Sequence, residues 1–465
     1  MAAGFAREAG VDWGCQRPAA WEESATARPP RKDAHVEDRP SPAAWRPRRP
    51  GRTGAAAAGP GWWCGCGCKQ RQRRAPGAAP APAAGSELRL GALFPFSGSL
   101  ALLGDESFRG LELAVEERNA AGGLLGRAIR LAKGDAAGPE QAMAELRRLQ
   151  SAERVAAGFG TFASHLGFAA SQAAEMQGLP YFELGAIADP ITERGFRNLY
   201  RLCPRASDFA RDSVAVIPEL LAGAWSTPAA ALRIAVLHED GLYGQTVSGL
   251  QESQLRARGL TQVERIGYSA RTVELSPVLE RLRAVRADVV LHTGYQNDIV
   301  LFYRGMKEAG WRPRMVIGSG AGYSLTDTAR SVGPEFEGTL DVDFPVAVAE
   351  AVAPGVAAFV ELYKKRYGSD PRSGHSLANY VGARLVLEAL QRAGGLERDK
   401  VRAALLATDV AEGTTATGWG ARFDEKGQNL RARPCLAQWQ GGRLVTVGPA
   451  EAAVAPLRAV MGGTG

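Results

Sequence analysis

The segment "GFGTFA", Gly158–Ala163, carries the spacing G-x-G-x-x-[GA] between a strand end and a helix start. That spacing can let a backbone approach a pyrophosphate and place it on a helix N-terminus. Glu183 falls about 20 residues on, at the next strand end, where a dinucleotide site puts its ribose-binding acid. Two features oppose that reading. The fingerprint normally follows the first strand of its domain, and here two strands and two helices come before it. Thr161 and Ser164 also add hydroxyl groups suited to helix capping. Ser164 and the first N–H groups of the helix can instead hold a carboxylate, which the helix dipole favours.

Catalytic chemistry finds little support elsewhere. No G-x-S-x-G elbow is present. The histidines are His35, His165, His238, His292 and His375, and none stands in a triad pattern. His165, His238 and His292 lie at strand ends, where a lone imidazole reads as a hydrogen-bonding wall residue. Cys64, Cys66 and Cys68 form "CGCGC" without the histidine or second pair that zinc spacing asks for. Cys203 and Cys435 stand apart from these, and their pairing is left open. The sequence therefore predicts no metal, no cofactor and no enzyme.

The charge narrows the partners. The chain has 465 residues and a net charge of +7. Residues 1–85 hold 14 basic and 7 acidic residues, so the remainder carries 42 of each and is neutral. A neutral main body offers no electrostatic footprint for nucleic acid. Residues 1–85 also hold 11 of the 27 prolines and no sustained apolar period. They read as a disordered extension, or as the product of a start codon set too far upstream. They show no clear signal peptide, and no lipobox precedes Cys64.

From Ser86 onward strands and helices alternate. "LRLGALF", "RAIRLAKGD", "RVAAGF" and "LPYFELG" read as strands separated by amphipathic helices, one marked by Phe108, Leu111 and Val115. The pattern restarts at "LRIAVLHED" and runs through "VERIGYS", "ADVVLHTG" and "RMVIGSG". The strand "GTLDVDF", helices over 354–367, 375–393 and 398–406, and a hairpin turning at Gly441-Gly442 complete the chain. Such alternation predicts an α/β fold of two doubly wound parallel-sheet lobes. Ligands of such sheets bind beyond the carboxyl ends of the strands. Those ends are rich in Gly, Ser, Thr and Tyr and poor in general bases, which describes a binding cleft.

The blocks "LRLGALFPFSGSLALLGDESFRGLELAVEERNAAGGLLG", "GFGTFASHLGFAASQAAEMQGLPYFELGAIADPITERGFRNLYR", "DGLYGQT", "IGSGAGYS", "FDEKGQN" and "CLAQWQGGRLVTVGP" give residues 86–465 a family likeness. The chain resembles the type I periplasmic solute-binding proteins of ABC importers, in the leucine/isoleucine/valine branch. The resemblance implies a flytrap with crossovers between lobes: 86–205 plus about 343–425 as lobe 1, and 206–342 plus about 426–465 as lobe 2. It implies a monomeric extracytoplasmic receptor with permease subunits as partners and an amino acid or small carboxylate as ligand. Ser164 takes the position of the family's carboxylate-binding serine. Gly185 and Ala186 match the next loop's backbone groups, with Ile187 where the family has threonine. Tyr243 and Tyr295 match the second-lobe tyrosines. Leu103 replaces a first-loop tyrosine, and Gly320 falls where branched-chain binders use a glutamate for the ligand's ammonium. His165 adjoins the site serine. With Gly320, the ammonium partner has to come from elsewhere, Asp298 or Glu183, or else the ligand is a carboxylate, amide or aromatic acid without an ammonium. A sensor of the same fold and a nucleotide-dependent oxidoreductase are the competing functions.

Overall fold

The computed structural model describes residues 87–462. Residues 1–86, with His35 and the "CGCGC" cluster, lie outside the described residues, and so does the reading of 1–85 as a disordered extension.

Leu88–Phe94 forms β1, an almost continuously buried strand of the kind a central parallel position requires. It is followed by α1 (Ala101–Ala120), β2 (Ile129–Asp135), α2 (Pro139–Ser151), β3 (Gly158–Gly160), α3 (Ser164–Gln177), β4 (Tyr181–Glu183) and β5 (Leu199–Arg201). The five strands are parallel and ordered β2-β1-β3-β4-β5. Pro139 opens α2, where its missing N–H has no intrahelical partner to lose. Gly178 closes α3 in the left-handed conformation, at φ 62°.

The chain then enters a second sheet through α4 (Ala206–Val216) and the short α5 (Ala222–Ala224). There follow β6 (Ile234–Glu239), α6 (Leu242–Ala257), β7 (Gln262–Tyr268), α7 (Ser276–Ala284), β8 (Val289–Thr293), α8 (Gln296–Glu308), β9 (Met315–Gly318), α9 (Thr326–Val332) and β10 (Leu340–Asp343). Next, α10 (Val356–Tyr367), α11 (Gly374–Ala393) and α12 (Arg398–Leu406) pack their apolar faces into the core of the first sheet. After the two-residue strands β11 (Asp409–Val410) and β12 (Ala421–Arg422), the chain returns to the second sheet as β13 (Cys435–Gln440) and β14 (Arg443–Gly448). The second sheet is ordered β14-β13-β10-β9-β8-β6-β7, parallel except for the antiparallel pairings of β13 with β10 and β14. The segments joining β5 to α4, β10 to α10 and β12 to β13 therefore pass from one sheet's core to the other's.

Two details fix how the helices present the site. Gly110 of α1 lies so close to α11 that a Cβ there would stand 2.0 Å from the Ser376 carbonyl oxygen. The buried Glu106 of α1 accepts from Tyr363 Oη at 2.6 Å, Arg372 N at 3.0 Å and the Ser376 hydroxyl. Together they clamp the start of α11, and with it His375, against the first sheet.

Some local expectations differ from the structure. The third strand begins only at Gly158, not at Arg154, because the ladder between β1 and β4 spans three residues. β5 and α4 have no counterpart in the sequence reading. Cys203 and Cys435 are separate buried free thiols. Cys203 Sγ lies 3.8 Å from the Ala186 carbonyl, and Cys435 Sγ lies 3.7 Å from Thr446 Oγ1.

Candidate functional site

The glycines of the phosphate-like motif serve packing. Gly158 and Gly160 are both within β3. A Cβ at Gly158 would stand 3.0 Å from the Tyr181 ring, and one at Gly160 would stand 2.0 Å from the Leu93 carbonyl oxygen. The anion in the following turn is the protein's own. Glu183 Oε1 accepts from Thr161 N at 2.7 Å, Gly185 N at 3.1 Å and Ala186 N at 2.9 Å, while Oε2 accepts from Thr161 Oγ1 at 3.2 Å. Burial raises the Glu183 pKa, and these donors act in the opposite sense. Of the motif's own donors, Thr161 N and Oγ1 are thus already taken by Glu183.

The next loop is gripped from its other side. The buried Arg201 guanidinium donates to the carbonyls of Ala186, Ile187 and Ala188 at 3.3, 2.9 and 2.7 Å and to Thr192 Oγ1 at 3.1 Å. Its Nε donates to Gln428 Oε1 at 2.6 Å. Glu183 takes the loop's N–H groups and Arg201 its carbonyls, so residues 185–188 are held from both sides. Ala188 N donates to Ser164 Oγ at 3.2 Å, which leaves the Ser164 hydroxyl hydrogen for another acceptor.

Beside this frame lies a narrow cleft. It is lined by Phe162, Ser164, Gly185 and Ile187 from the first sheet's strand-end loops, and by Tyr243, Tyr295, Ser319 and Ala321 from the second. Phe209, Asp343, Phe344 and His375 complete it from α4, β10 and the start of α11. The Tyr243 hydroxyl donates to the Ser319 carbonyl at 2.5 Å, and the Tyr243 and Tyr295 rings meet at 5.5 Å. The Tyr295 hydroxyl and Asp343 Oδ2 are buried and have no hydrogen-bond partner among the described residues. His375 packs on Phe344 at 4.7 Å, and burial holds its pKa down at about 3, so the imidazole is neutral. Among the described residues, no lysine or arginine lines the cleft. Among the described residues, no three His, Cys, Asp or Glu side chains gather as a metal site.

The sequence profile of the periplasmic binding protein family matches residues 87–443. The chain belongs to this family. This periplasmic binding protein is 49% identical over 377 residues to Leu/Ile/Val-binding protein homolog 7 of Brucella suis, covering 81% of the chain and 94% of the relative. It is 47% identical over 375 residues to homolog 8 of Brucella abortus, covering 80% and 93%. Its fold matches the leucine-binding protein LivK of Thermotoga maritima with a TM-score of 0.68 at 21% identity, over 78% of this chain and 98% of that one. It also matches a solute-binding protein of R. palustris in complex with benzoate, with a TM-score of 0.68 at 23% identity, over 80% and 98%.

Of the residues singled out from the sequence, the binding protein brings Ser164, Gly185, Ile187, Tyr243 and Tyr295 to one cleft. Gly320 adjoins it between Ser319 and Ala321. Four others stand away from its lining. Leu103 is buried in an apolar cluster with Leu93 and Leu166. Ala186 faces the core, and its N–H is spent on Glu183. His165 is the second residue of α3 and does not reach the cleft. Asp298 caps α8 by accepting from Tyr295 N at 2.8 Å and from the Tyr268 hydroxyl, with burial raising its pKa to about 7. Both acids expected to meet an ammonium, Asp298 and Glu183, are therefore engaged by donors of the protein itself. The sequence reading missed Asp343, Phe344 and His375. For Asp343 the available signal was an acid at the buried carboxyl end of "LDVDF", where the family's ligands sit.

Proposed function

We propose that this protein is an extracytoplasmic solute receptor of an ABC importer, binding an amino acid or a closely related small carboxylate between its two sheets. The observation that carries this reading is the cleft itself. Strand-end loops of both sheets line it, with a free serine O–H on one side and tyrosines and a carboxyl group on the other. The names of the Brucella relatives and of the T. maritima neighbour favour the same class of ligand. A ligand touching both halves stabilises the arrangement in which they meet, as a flytrap requires. Ser164 is the carboxylate donor in this reading, Tyr295 offers a second hydroxyl, and the phenylalanines take the apolar body. The protein acts as a monomer, hands its ligand to a permease and performs no chemistry on it. The two lobes are residues 86–205 with about 343–425, and 206–342 with about 426–465.

The rings of Phe162, Phe209, Phe344, Tyr243 and Tyr295 support a second reading, an aromatic acid without an amine, as in the benzoate-bound neighbour. A thermal-shift screen with amino acids, aliphatic acids and benzoate separates the two. A ligand at 100 times its Kd adds about 2.7 kcal/mol, an easily seen shift. No shift with any of these classes would overturn the receptor reading for such solutes.

A further inference from the structure

We infer that Asp343 is the residue that takes the ligand's ammonium group, that Gly320 is kept without a side chain to make room for it, and that binding expels a proton from this carboxyl group. The inference rests on the receptor reading above and deepens it.

Asp343 is 1% exposed and lines the cleft, and its Oδ2 has no partner among the described residues. An isolated buried carboxylate is costly, so such a group either stays protonated or meets a cation. Among the described residues, no lysine or arginine lines the cleft beside it. The groups facing Asp343 from its surroundings are Asp341 on the same strand, His375 of α11 at 3.9 Å, Tyr243 of α6, Tyr295 of α8, Cys435 of β13 and Cys203 after β5. His375 is neutral, and burial raises the Cys and Tyr groups above their ordinary range. Asp341 is an acid whose own pKa burial and the neighbouring Asp343 raise, and its Oδ2 has no partner among the described residues. Burial raises the pKa of both acids, and the Ser324 hydroxyl and Phe344 N–H only partly oppose this at Asp343. The ligand is therefore left to bring the positive charge.

Gly320 explains why this acid comes from β10. Its N–H donates to Asp341 Oδ1 at 2.7 Å. Its φ is +81°, and a Cβ there would stand 2.7 Å from Asp343 Oδ1 and 3.2 Å from the Phe209 ring. A side chain at 320 and the observed place of Asp343 exclude each other. On binding, R–NH3+ meets the partly protonated carboxyl group, whatever O–H proton it holds leaves to solvent, and a carboxylate–ammonium pair remains.

The test uses the full chain and a panel of the proteinogenic amino acids, 4-methylpentanoate, 3-phenylpropanoate and benzoate. Calorimetry is run in two buffers of different ionisation enthalpy. We expect an amino acid to bind at least about 30-fold more tightly than its amine-free counterpart, the lower bound for losing one side of a buried charge pair. Proton release should accompany it at neutral pH, and Asp343→Asn should lose a similar factor while keeping its cooperative melt. Tight binding of only the amine-free acids would overturn the inference and leave the receptor reading standing. Binding by nothing in the panel would overturn both. The wild-type buffer experiment needs no variant: amino-acid binding without proton release also overturns the inference.

Discussion

Glu183 and Asp343 are both acids buried at the carboxyl ends of parallel strands, one in each sheet, and they face opposite fates. Glu183 accepts from Thr161 N, Thr161 Oγ1, Gly185 N and Ala186 N, and is fully used as a structural staple. Asp343 keeps an oxygen with no hydrogen-bond partner among the described residues and lines the cleft. A buried polar atom left unmatched is unfavourable in the free protein and becomes useful when a ligand matches it. The comparison teaches that burial and charge do not separate a structural acid from a binding acid, whereas hydrogen-bond saturation does.

The largest expected effect comes from the saturated side. Glu183→Ala leaves three buried N–H groups unmatched, and should cost on the order of 3 kcal/mol or more of stability in urea unfolding. Asp343→Asn should leave the unfolding midpoint near or above wild type and act on binding. If both variants lowered stability alike, the distinction between the two acids would collapse.

A smaller effect is expected at Ser164, whose hydroxyl hydrogen is free while its oxygen is held by Ala188 N. Ser164→Ala should weaken binding of the ligand found in the screen by about 0.5–3 kcal/mol, the span from a neutral to a charged hydrogen bond. Unchanged affinity in calorimetry would remove the serine from the contact set. Tyr295→Phe deletes the other unmatched hydroxyl and should weaken binding by about 0.5–1.5 kcal/mol without loss of stability. Tyr295→Ala should in addition leave more of the ligand-bound protein open. In small-angle scattering the wild type should compact on saturation and this variant less so. No compaction of the wild type would end the flytrap reading.

The smallest effect is in pH dependence. Asp343 has a folded-state pKa above its unfolded value of about 3.8, so the native state holds the extra proton. Stability from this group is complete at acid pH and falls as pH rises through the raised value. His292 and His375, held at about 3 by burial, act in the opposite direction below the ordinary imidazole range. The diagnostic quantity is therefore the melting temperature of Asp343→Asn minus that of wild type, which should grow as pH rises from 4 toward neutral. A flat difference would mean that the native state gains no proton there.

Alternation of apolar strands with amphipathic helices laid down both sheets, because period and turn residues are local properties. The same local logic put Ser164, Tyr243 and Tyr295 at strand ends and so at the cleft. It failed at β5, whose three residues carry no period, and at Gly158–Ala163, where a ligand-like glycine spacing serves packing against Tyr181 and Leu93.

The sequence by itself determined the alternation, the neutral main body and the strand ends that face a ligand, since each follows from residue type and spacing along the chain. Only the tertiary structure decided which carboxyl group is available. Glu183 is satisfied by a turn 22 residues earlier, and Asp343 stands clear because a glycine on the adjoining strand's loop yields its space and the nearest imidazole is buried and neutral. Hydrogen-bond saturation and desolvation belong to what surrounds a group in space, and no one-dimensional pattern encodes those neighbours.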